Sequence, residues 1–369
     1  MSEVVKNGSL TDFHKRLEEN NLGPLWSSIH HLNTVQPTTK AIPYLWKREL
    51  IQRHLNEAEE LLTLGDGADR RAVFLINPGM KDLEPVGWGG ATHTLYAAVQ
   101  AVKPGEVAKA HRHTATATRF ILKGEGARGT VDGERLTFSP GDFLNTPSWS
   151  WHDHTNIGNE QVMWMDCLDS PFMKYMGTGF TEFLKDAQQE LVVPDNYNMK
   201  RYQGGVTRPA ADRNKKIAPP GRYPWHLTEQ GLNGLSEFDA DPVDGFAVEY
   251  INPVTGKDAN NRIGARMQQI PAGFEGKAHR HVHSTVYHVF KGKGYTIMNG
   301  VRFDWEEGDF FAIPSWTWHE HVNLSDSQPA FLYSTNDLPI MEAFDFEVVE
   351  AYQENEGHQL VTDTFKPIL

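Results

Sequence analysis

Two stretches of the sequence carry histidines at a spacing that suits metal binding. AHRHTATATRFILKGEG contains His111 and His113, and AHRHVHSTVYHVFKGKG contains His279 and His281. Side chains two positions apart on a β-strand point to the same face, so each His-x-His pair presents two imidazoles together. Both stretches begin with Ala-His-Arg-His and end with Lys-Gly-x-Gly, which indicates that one structural unit has been duplicated.

Each copy also supplies a third histidine from a later, matching stretch. GDFLNTPSWSWHDHTN contains His152, and GDFFAIPSWTWHEHVN contains His319. Three neutral imidazoles suit a divalent first-row ion such as iron, manganese, zinc or copper, and they leave coordination positions open for other ligands. A lone His-x-His pair is more often solvent-facing or hydrogen-bonded in a core, but the full pattern occurs twice. The sequence therefore predicts two metal sites, one at His111, His113 and His152 and a second at His279, His281 and His319.

The segments around these histidines have the composition of short β-strands. Runs such as RAVFLIN, TRFILKG and GTVDGERLTF alternate with glycine and proline turns. The pairs Asp132-Gly133 and Asn299-Gly300 predict matching two-residue hairpin turns. The tryptophans of the two SWxWH strings, which are Trp149, Trp151, Trp316 and Trp318, are predicted to pack in the cores rather than line a pocket.

Composition divides the chain into segments. The N-terminal region is rich in helix formers, with Ser9 or Thr11 as the predicted helix cap. The stretch PDNYNMKRYQGGVTRPAADRNKKIAPPGRYPW, between the copies, contains too much proline, glycine and charge for a core element. The repeat is too long for a solenoid, so it indicates domain duplication. The predicted segments are a helical N-terminal extension (1–71), a first β domain with the first predicted metal site (72–174), a surface linker (175–243), a second β domain (244–346) and a C-terminal tail (347–369).

Bulk properties exclude several classes of protein. The chain of 369 residues is long enough for two ordinary domains, and its net charge of -13 argues against a nucleic-acid partner. No stretch approaches the roughly 20 apolar residues that a membrane helix needs. The single cysteine, Cys167, rules out an internal disulfide, and the start MSEVVKNGSLTDF lacks the apolar run of a signal peptide. We therefore expect a cytoplasmic protein with neither nucleic acid nor membrane as a partner.

The repeated pattern resembles a known fold family. Glycine, five residues and His-x-His, followed by glycine, five residues, proline and a later histidine, is similar to the paired motifs of the cupin superfamily. The resemblance implies a mainly β bicupin, in which two double-stranded β-helix (jelly-roll) barrels follow a helical N-terminal extension and hold a site in the barrel mouth. The matching positions are Gly105, His111, His113, Gly141, Pro147 and His152 in the first copy, and Gly273, His279, His281, Gly308, Pro314 and His319 in the second.

The sequence departs from the common cupin pattern at one metal ligand. The usual glutamate would fall at Ala117 or Thr118 in the first copy, and at Thr285 or Val286 in the second. Three histidines without a carboxylate keep the charge of the metal ion undiminished, which suits a substrate that chelates as an anion while dioxygen takes another position. The missing glutamate counts against a manganese bicupin decarboxylase acting on a small diacid such as oxalate, which is the alternative from another enzyme class.

Longer strings narrow the resemblance. RRAVFLINPG, HRHTATATRFILKGEG, PSWSWHDHTN and WMDCLDSPF are similar to gentisate 1,2-dioxygenases and their salicylate-cleaving relatives, and the similarity spans most of the chain. It implies Fe(II) at the first triad, a small aromatic hydroxy acid and O2 as substrates, and a homo-oligomer, specifically a tetramer. It also implies catalytic roles for Arg119, His154 and Asp166, with Arg119 facing the substrate carboxylate. The implied pocket residues are Arg70, Tyr96, Gln100, Arg119, His154 and Asp166.

The implied reaction belongs to the breakdown of aromatic compounds. It opens the ring between C1 and C2 and places both atoms of O2 in the product, which for gentisate is maleylpyruvate. Gentisate is the predicted substrate, with 1-hydroxy-2-naphthoate or a substituted salicylate as alternatives. An additional arginine, expected shortly before Arg70 in the salicylate-type enzyme, appears here as Asp66 or a neighbour. This difference favours a substrate other than salicylate itself.

The second copy lacks the same substrate pocket. Tyr287 stands in place of Arg119, and Ser334 stands in place of Asp166. A metal ion in the second copy is therefore predicted to be structural or vestigial, or to serve a different ligand. The remaining hypothesis is a metal-stabilised binding or storage bicupin without turnover. The histidines retained in both copies, together with Arg119 and Asp166, argue against it.

Overall fold

The structure, a computed structural model, describes residues 9–64, 70–81, 89–215 and 221–369. The chain divides into a small N-terminal unit that ends at Thr38 and a large unit that runs from Thr39 to Leu369. Within the described ranges, no helix has both the length and the apolar composition needed to span a membrane.

The N-terminal unit contains two helices, α1 (Leu10–Glu19) and α2 (Leu25–Leu32). The Ser9 side chain accepts a hydrogen bond from the Asp12 backbone N–H at 3.2 Å, and the Asp12 carboxylate accepts one from the Ser9 N–H. This reciprocal capping box stabilises the start of α1, and the predicted cap at Ser9 is confirmed. The helices of the large unit are α3 (Arg48–Leu61), α4 (Ser170–Tyr175), α5 (Tyr197–Tyr202), α6 (Trp225–Leu235) and α7 (Leu338–Ala343).

The first repeat contains the strands that carry the first histidine cluster. Its predicted hairpin turn is confirmed, because Asp132 and Gly133 have φ values of 46° and 77° and connect two paired strands. The strands up to the end of this region are β1 (Tyr44–Trp46), β2 (Ala72–Phe74), β3 (Tyr96–Val102), β4 (Val107–His113), β5 (Ala117–Lys123), β6 (Ala127–Val131), β7 (Glu134–Thr137), β8 (Phe143–Thr146), β9 (His152–Asn156), β10 (Val162–Leu168), β11 (Thr181–Phe183) and β12 (Gly221–Tyr223).

The second repeat follows the same order. Its hairpin turn is also confirmed, with φ values of 49° at Asn299 and 80° at Gly300. The strands are β13 (Phe246–Glu249), β14 (Gly264–Ile270), β15 (His279–His281), β16 (Thr285–Lys291), β17 (Lys293–Met298), β18 (Val301–Glu306), β19 (Phe310–Ile313), β20 (His319–Asn323), β21 (Ala330–Asn336), β22 (Val349–Ala351) and β23 (Asp363–Thr364).

Each repeat forms a barrel from two mainly antiparallel sheets. In the first barrel the strand orders are β12-β8-β5-β10-β3-β2 and β11-β4-β9-β6-β7. In the second barrel they are β1-β19-β16-β21-β14-β13 and β22-β15-β20-β17-β18-β23. Paired sheets of this kind build a jelly roll, so the predicted mainly β bicupin is confirmed.

Strands from outside the predicted β domains complete both barrels. β1, from the predicted N-terminal extension, pairs with β19 of the second barrel, and β12, from the predicted linker, pairs with β8 of the first. β11 also comes from the predicted linker, and it pairs with β4, the strand of His111 and His113. The predicted linker thus contributes backbone hydrogen bonds to the histidine-bearing sheet. The domain boundaries stay predictions.

A continuous aromatic core joins the two barrels. Phe120 of the first barrel stacks on Tyr333 of the second with ring centroids 4.1 Å apart, and Phe143 stacks on Tyr250 at 4.4 Å. All four rings are buried, and burial of such large apolar surfaces is the main force that holds packed elements together. Side chains of the second barrel can therefore reach and support the first.

The prediction that the tryptophans of the SWxWH strings pack in the cores is wrong. Arg112, which lies between His111 and His113, points out of the barrel because side chains alternate along a strand. Its guanidinium lies 4.4 Å and 4.5 Å from the ring centroids of Trp149 and Trp151, so these half-buried rings cover the outer surface. The second barrel repeats this arrangement with Arg280, Trp316 and Trp318.

Candidate metal centre and its pocket

The first histidine cluster forms where two neighbouring strands meet. His111 and His113 lie at the end of β4, and His152 begins β9, directly opposite His111 in the antiparallel pairing. One ring nitrogen from each histidine lies within 4.8 Å of the others. Strand register, rather than a flexible loop, therefore brings the predicted ligands together.

Hydrogen bonds orient these rings for metal binding through Nε2. Nδ1 of His113 donates to the Ala115 carbonyl at 2.8 Å, and Nδ1 of His152 donates to the Ser150 carbonyl at 3.0 Å. Nε2 of His152 is buried without a hydrogen-bond partner among the described residues, which costs free energy unless a ligand binds there. A carbonyl behind the ring and an unpaired nitrogen in front are typical of metal-binding histidines. The cluster thus fits a divalent metal ion.

The three imidazoles are neutral near neutral pH. Burial lowers the pKa of His111 to about 3, and the nearby Arg70 charge adds to this effect. Burial lowers the pKa of His113 to about 4, and it holds the pKa of His152 well below the usual range, again with a contribution from the Arg119 charge. A neutral imidazole keeps the lone pair that a metal ion needs.

Arg119 and Asp166 form a buried ion pair beside the cluster. They lie opposite each other on β5 and β10, and Nε of Arg119 is 2.8 Å from Oδ1 of Asp166, although this N–H is not aligned as a hydrogen bond. Nη1 of Arg119 donates to Thr146 Oγ1 at 2.6 Å, and Trp164 Nε1 donates to Oδ2 of Asp166 at 3.0 Å. Burial raises the pKa of Asp166, and the Arg119 charge opposes that rise. The guanidinium is thus held on two sides.

Three other residues implied by the resemblance bring polar groups to the same pocket. Register with β10 puts Tyr96 and Gln100 on the face of the sheet that carries Asp166. Both ring nitrogens of His154 and Nε2 of Gln100 are buried and lack partners among the described residues. Burial raises the pKa of Tyr96, and the Asp166 charge contributes. Unpaired polar groups that converge in this way indicate a polar ligand.

Arg70 lies against His111 of the first histidine cluster. Its guanidinium donates to the Lys109 carbonyl at 2.9 Å and also contacts Nδ1 of His111, which lies 3.2 Å from the same carbonyl. Metal binding through Nε2 of His111 requires a proton on Nδ1, so Arg70 has to turn away from the ring when a metal ion binds. Its role at the substrate stays a prediction, and Asp66 lies outside the described residues.

The second histidine cluster repeats the geometry of the first. His279 on β15 lies opposite His319 on β20, and one nitrogen from each of His279, His281 and His319 lies within 4.8 Å of the others. Nδ1 of His281 donates to the His283 carbonyl at 2.7 Å, and Nδ1 of His319 donates to the Thr317 carbonyl at 2.9 Å. Burial lowers the pKa of His279 to about 3. This cluster also fits a divalent metal ion.

The surroundings of the second cluster differ from those of the first. Tyr287 on β16 lies opposite Ser334 on β21, at the positions that Arg119 and Asp166 occupy in the first barrel. The strand register therefore agrees with the sequence prediction that the second repeat lacks the charged pair formed by Arg119 and Asp166 in the first. No arginine stands at the position of Arg119 here, and the arginine on this face, Arg266, lies opposite Ser334 and pairs with Glu249.

The two pockets also differ at Gly129, a residue that the sequence patterns did not identify as functional. His154 lies opposite Gly129 on β6, whereas the equivalent His321 lies opposite Thr296 on β17. Thr296 Oγ1 and Nδ1 of His321 form a 2.8 Å hydrogen bond. A Cβ at Gly129 would lie 3.1 Å from Nδ1 of His154, so glycine leaves that ring unpaired. Counting back from the two hairpin turns aligns Gly129 with Thr296 and could have revealed the difference.

Comparison with known proteins places the chain in a family. The Cupin domain model matches residues 98–168 and 266–336. The chain is 36% identical over 337 residues to gentisate 1,2-dioxygenase 1 of Aquipseudomonas alcaligenes, a match that covers 91% of this chain and 94% of that protein. The chain belongs to the gentisate 1,2-dioxygenase family.

Other matches agree with membership in the gentisate 1,2-dioxygenase family. The chain is 35% identical over 345 residues to 1-hydroxy-2-naphthoate 1,2-dioxygenase of Nocardioides sp. (strain KP7), covering 93% of this chain and 88% of that protein. It superposes on salicylate 1,2-dioxygenase from Pseudoaminobacter salicylatoxidans, solved as an adduct with gentisate, with a TM-score of 0.85 and 32% identity, covering 94% and 95% of the two chains. These relatives are 1,2-dioxygenases, and the predicted class of ring-cleaving dioxygenase is confirmed.

Proposed function

We propose that the protein is an Fe(II)-dependent dioxygenase that opens gentisate between C1 and C2 and forms maleylpyruvate. The observation that carries this proposal is the buried Arg119, which lies near the first triad and is held by Asp166 and Thr146. A fixed cation next to a metal centre suits a substrate whose carboxylate adjoins a metal-binding hydroxyl group. Gentisate has this arrangement on its ring.

The donor set supports iron at the first triad. His111, His113 and His152 would hold the ion, and no carboxylate joins them in the cluster that the described residues form. Bound Fe(II) supplies open coordination positions and electron transfer between the ring and O2. The neutral ligands do not offset the charge of the ion, which favours an anionic substrate.

Arg119 binds and orients the substrate carboxylate. Because Asp166 and Thr146 already hold the guanidinium, it keeps one orientation before the substrate arrives. Such preorganisation lowers the entropic cost of binding and places the ring in a defined position. Arginine is suited to this task because its planar fork matches the geometry of a carboxylate.

His154 holds or accepts the proton of a substrate hydroxyl group. Its two buried nitrogens lack partners among the described residues, so the neutral ring can accept at one nitrogen and donate at the other. Gln100 offers a further donor through Nε2. Gentisate has a second ring hydroxyl, which gives these groups a partner that salicylate lacks.

The alternative substrates are 1-hydroxy-2-naphthoate and substituted salicylates. They share the adjacent carboxylate and hydroxyl group, so Arg119 and the first triad would bind them in the same way. They differ from gentisate in ring size and in the substituents that His154 and Gln100 can contact. The preferred substrate is therefore decided by measurement of all of them side by side.

For the second triad we propose a structural metal ion, or one that serves a different ligand. Tyr287 and Ser334 replace the Arg119–Asp166 pair with hydroxyl groups, and the neighbouring Arg266 is already paired with Glu249. We also propose that the protein works in the cytoplasm as a homo-oligomer, specifically a tetramer. The single, buried Cys167 and the family resemblance support this proposal.

Oxygen consumption tests the proposed function. Protein purified and loaded with Fe(II) without oxygen is mixed with gentisate, 1-hydroxy-2-naphthoate or salicylate in aerated buffer, and O2 uptake and ring-opened product are measured. We expect rapid uptake with gentisate, loss of uptake in His113→Ala, and uptake near the wild-type rate in His281→Ala. Faster O2 uptake with another compound would make that compound the preferred substrate in place of gentisate. If iron-loaded protein consumes no O2 with any of the three compounds, the proposed ring cleavage is refuted.

A further inference from the structure

We infer that Arg262, which belongs to the second repeat, positions the metal ligand His113 of the first triad. Nη2 of Arg262 donates to the Thr114 carbonyl at 2.8 Å, and Nε lies 2.8 Å from Oδ2 of Asp169. The second contact is an ion pair whose N–H is not aligned as a hydrogen bond. One side chain of the second repeat thus binds the backbone of the residue that follows a metal ligand of the first.

Asp169 connects Arg262 to the other end of the same turn. Its Oδ1 accepts a hydrogen bond from the Thr116 backbone N–H at 2.8 Å. Between the two contact points lies Ala115, whose carbonyl accepts the Nδ1 proton of His113 at 2.8 Å. Arg262 and Asp169 therefore hold both ends of the segment whose central carbonyl orients the metal ligand.

The loop that carries Arg262 is itself fixed against the first barrel. Asn260 donates to Thr116 Oγ1 and, at 2.8 Å, to Oδ1 of Asn145, while its own Oδ1 accepts the Arg262 backbone N–H at 3.0 Å. The Asp169 side chain is fully buried and the Arg262 side chain is 23% exposed. Loss of the arginine would leave a buried carboxylate without its cation, which disturbs the segment more than loss of a surface ion pair.

In the second repeat, different contacts hold the segment that corresponds to the turn after His113. Asp337 accepts hydrogen bonds from the Ser284 backbone N–H at 2.6 Å, from the Ser284 hydroxyl at 2.9 Å and from the Thr94 hydroxyl. Among these described contacts there is no arginine, and Thr94 occupies the position that Arg262 has in the other repeat. The carboxylate behind the first triad therefore pairs with an arginine, whereas the carboxylate behind the second is held by hydroxyl groups and a backbone N–H.

The expected consequence is a dependence of metal affinity at the first triad on a residue of the second repeat. Changes to groups that orient metal ligands typically cost about 10–100-fold in metal affinity. Because Arg262 acts on His113 through the backbone, we expect a loss on the order of tenfold, at the lower end of that range. A residue that served stability alone would leave the affinity unchanged.

Metal titration tests this inference, which rests on the proposed metal site but not on the proposed substrate. Full-length protein with His281→Ala, in which the second triad is broken, is titrated with Fe(II) without oxygen, alone and combined with Arg262→Ala, Arg262→Lys or Thr94→Ala. We expect Arg262→Ala to weaken binding about tenfold. Arg262→Lys should restore part of the loss because lysine can still pair with Asp169, and Thr94→Ala should leave binding unchanged.

Urea unfolding of the same proteins separates positioning from stability. Unchanged affinity in Arg262→Ala would overturn the inference even if stability falls, and so would an equal loss of affinity in Thr94→Ala. If Arg262→Ala does not fold, Asp169→Asn takes its place, because it removes the charge and keeps an oxygen for the Thr116 N–H; the same outcomes then apply. A parent protein that binds no Fe(II) would instead refute the proposed metal site.

Discussion

The two barrels share their histidine triads but differ in the residues around them. In both, a backbone carbonyl accepts the Nδ1 proton of a histidine in the triad, at 2.8 Å for His113 and 2.7 Å for His281. The first pocket adds the ion pair of Arg119 and Asp166, whereas hydroxyl-bearing residues occupy those positions in the second. A strand can exchange inward side chains without changing its backbone pairing, so the two repeats share their histidine triads while the residues around the triads differ.

The comparison also shows that the second barrel supports the first. Arg262 and Asn260 reach across the interface to the turn that follows His113. The equivalent contact in the opposite direction is the hydroxyl of Thr94 on Asp337. The interface is therefore asymmetric, with the Arg262 contact directed at the barrel of the proposed substrate pocket.

The largest expected effect is at Arg119. Arg119→Lys keeps a positive charge but loses the planar fork that contacts Asp166 and Thr146 and that we propose binds the substrate carboxylate. We expect kcat/KM for gentisate to fall on the order of 10²-fold, because disrupting a buried charged partner costs about 2–5 kcal/mol. Tyr287→Phe, at the equivalent position, should leave kcat/KM near the wild-type value. Steady-state O2 uptake measures both, and similar losses in the two variants would contradict the division of roles between the barrels.

A smaller effect is expected at Gly129. Gly129→Thr would place a hydroxyl beside His154, as Thr296 does beside His321, and would engage a ring nitrogen that has no partner in the described part of the chain. A positioned acid–base group contributes about 10²–10⁴-fold to a rate, so partial loss of His154 should lower kcat about tenfold with iron content unchanged.

Two variants serve as controls for the Gly129 prediction. Gly129→Ala adds the Cβ without the hydroxyl, and Thr296→Gly removes the Thr296 hydrogen bond to His321 in the second barrel. Both should retain more activity than Gly129→Thr in the same O2-uptake assay. Equal losses in Gly129→Ala and Gly129→Thr would show that crowding, and not the hydrogen bond, affects His154.

The smallest expected effect concerns the stability of the second repeat. Burial raises the pKa of Asp258 to about 6, and the negative charge of Glu249 contributes. The folded protein therefore binds this proton more tightly than the unfolded chain, in which the pKa of aspartate is about 3.9. The contribution of Asp258 to the free energy of unfolding falls as pH rises from about 4 to about 6, and it stays low at higher pH.

Asp258→Asn removes this penalty. At about pH 7.5 we expect the free energy of unfolding to rise by about 1 kcal/mol, a value that allows for the partial exposure of Asp258 to solvent. At about pH 4 we expect it to be unchanged. Urea unfolding at the two pH values measures the difference, with Asp239→Asn as the exposed control. A stabilisation of the same size at both pH values would show that the carboxylate charge is not its cause.

Local patterns in the sequence predicted the barrels and both histidine triads. His-x-His on a strand places two rings on one face whatever surrounds it, and Asp132-Gly133 forms its hairpin turn because these residues tolerate positive φ. Resemblance to a family added Arg119, which no spacing rule would have selected. The tryptophan prediction is wrong because it follows the usual core position of aromatic residues on barrel strands, whereas Arg112 lies over the rings of Trp149 and Trp151 on the outer surface.

Contacts between strands that are distant in sequence could be identified only from the tertiary structure. The position of Gly129 beside His154 depends on the pairing of β6 with β9, and the position of Thr146 at Arg119 depends on the pairing of β5 with β8. The reach of Arg262 to the turn after His113 depends on how the two barrels pack. Sequence spacing sets the neighbours along one strand, but register and barrel packing set the neighbours across strands, because these come from the burial and hydrogen bonding of the whole domain.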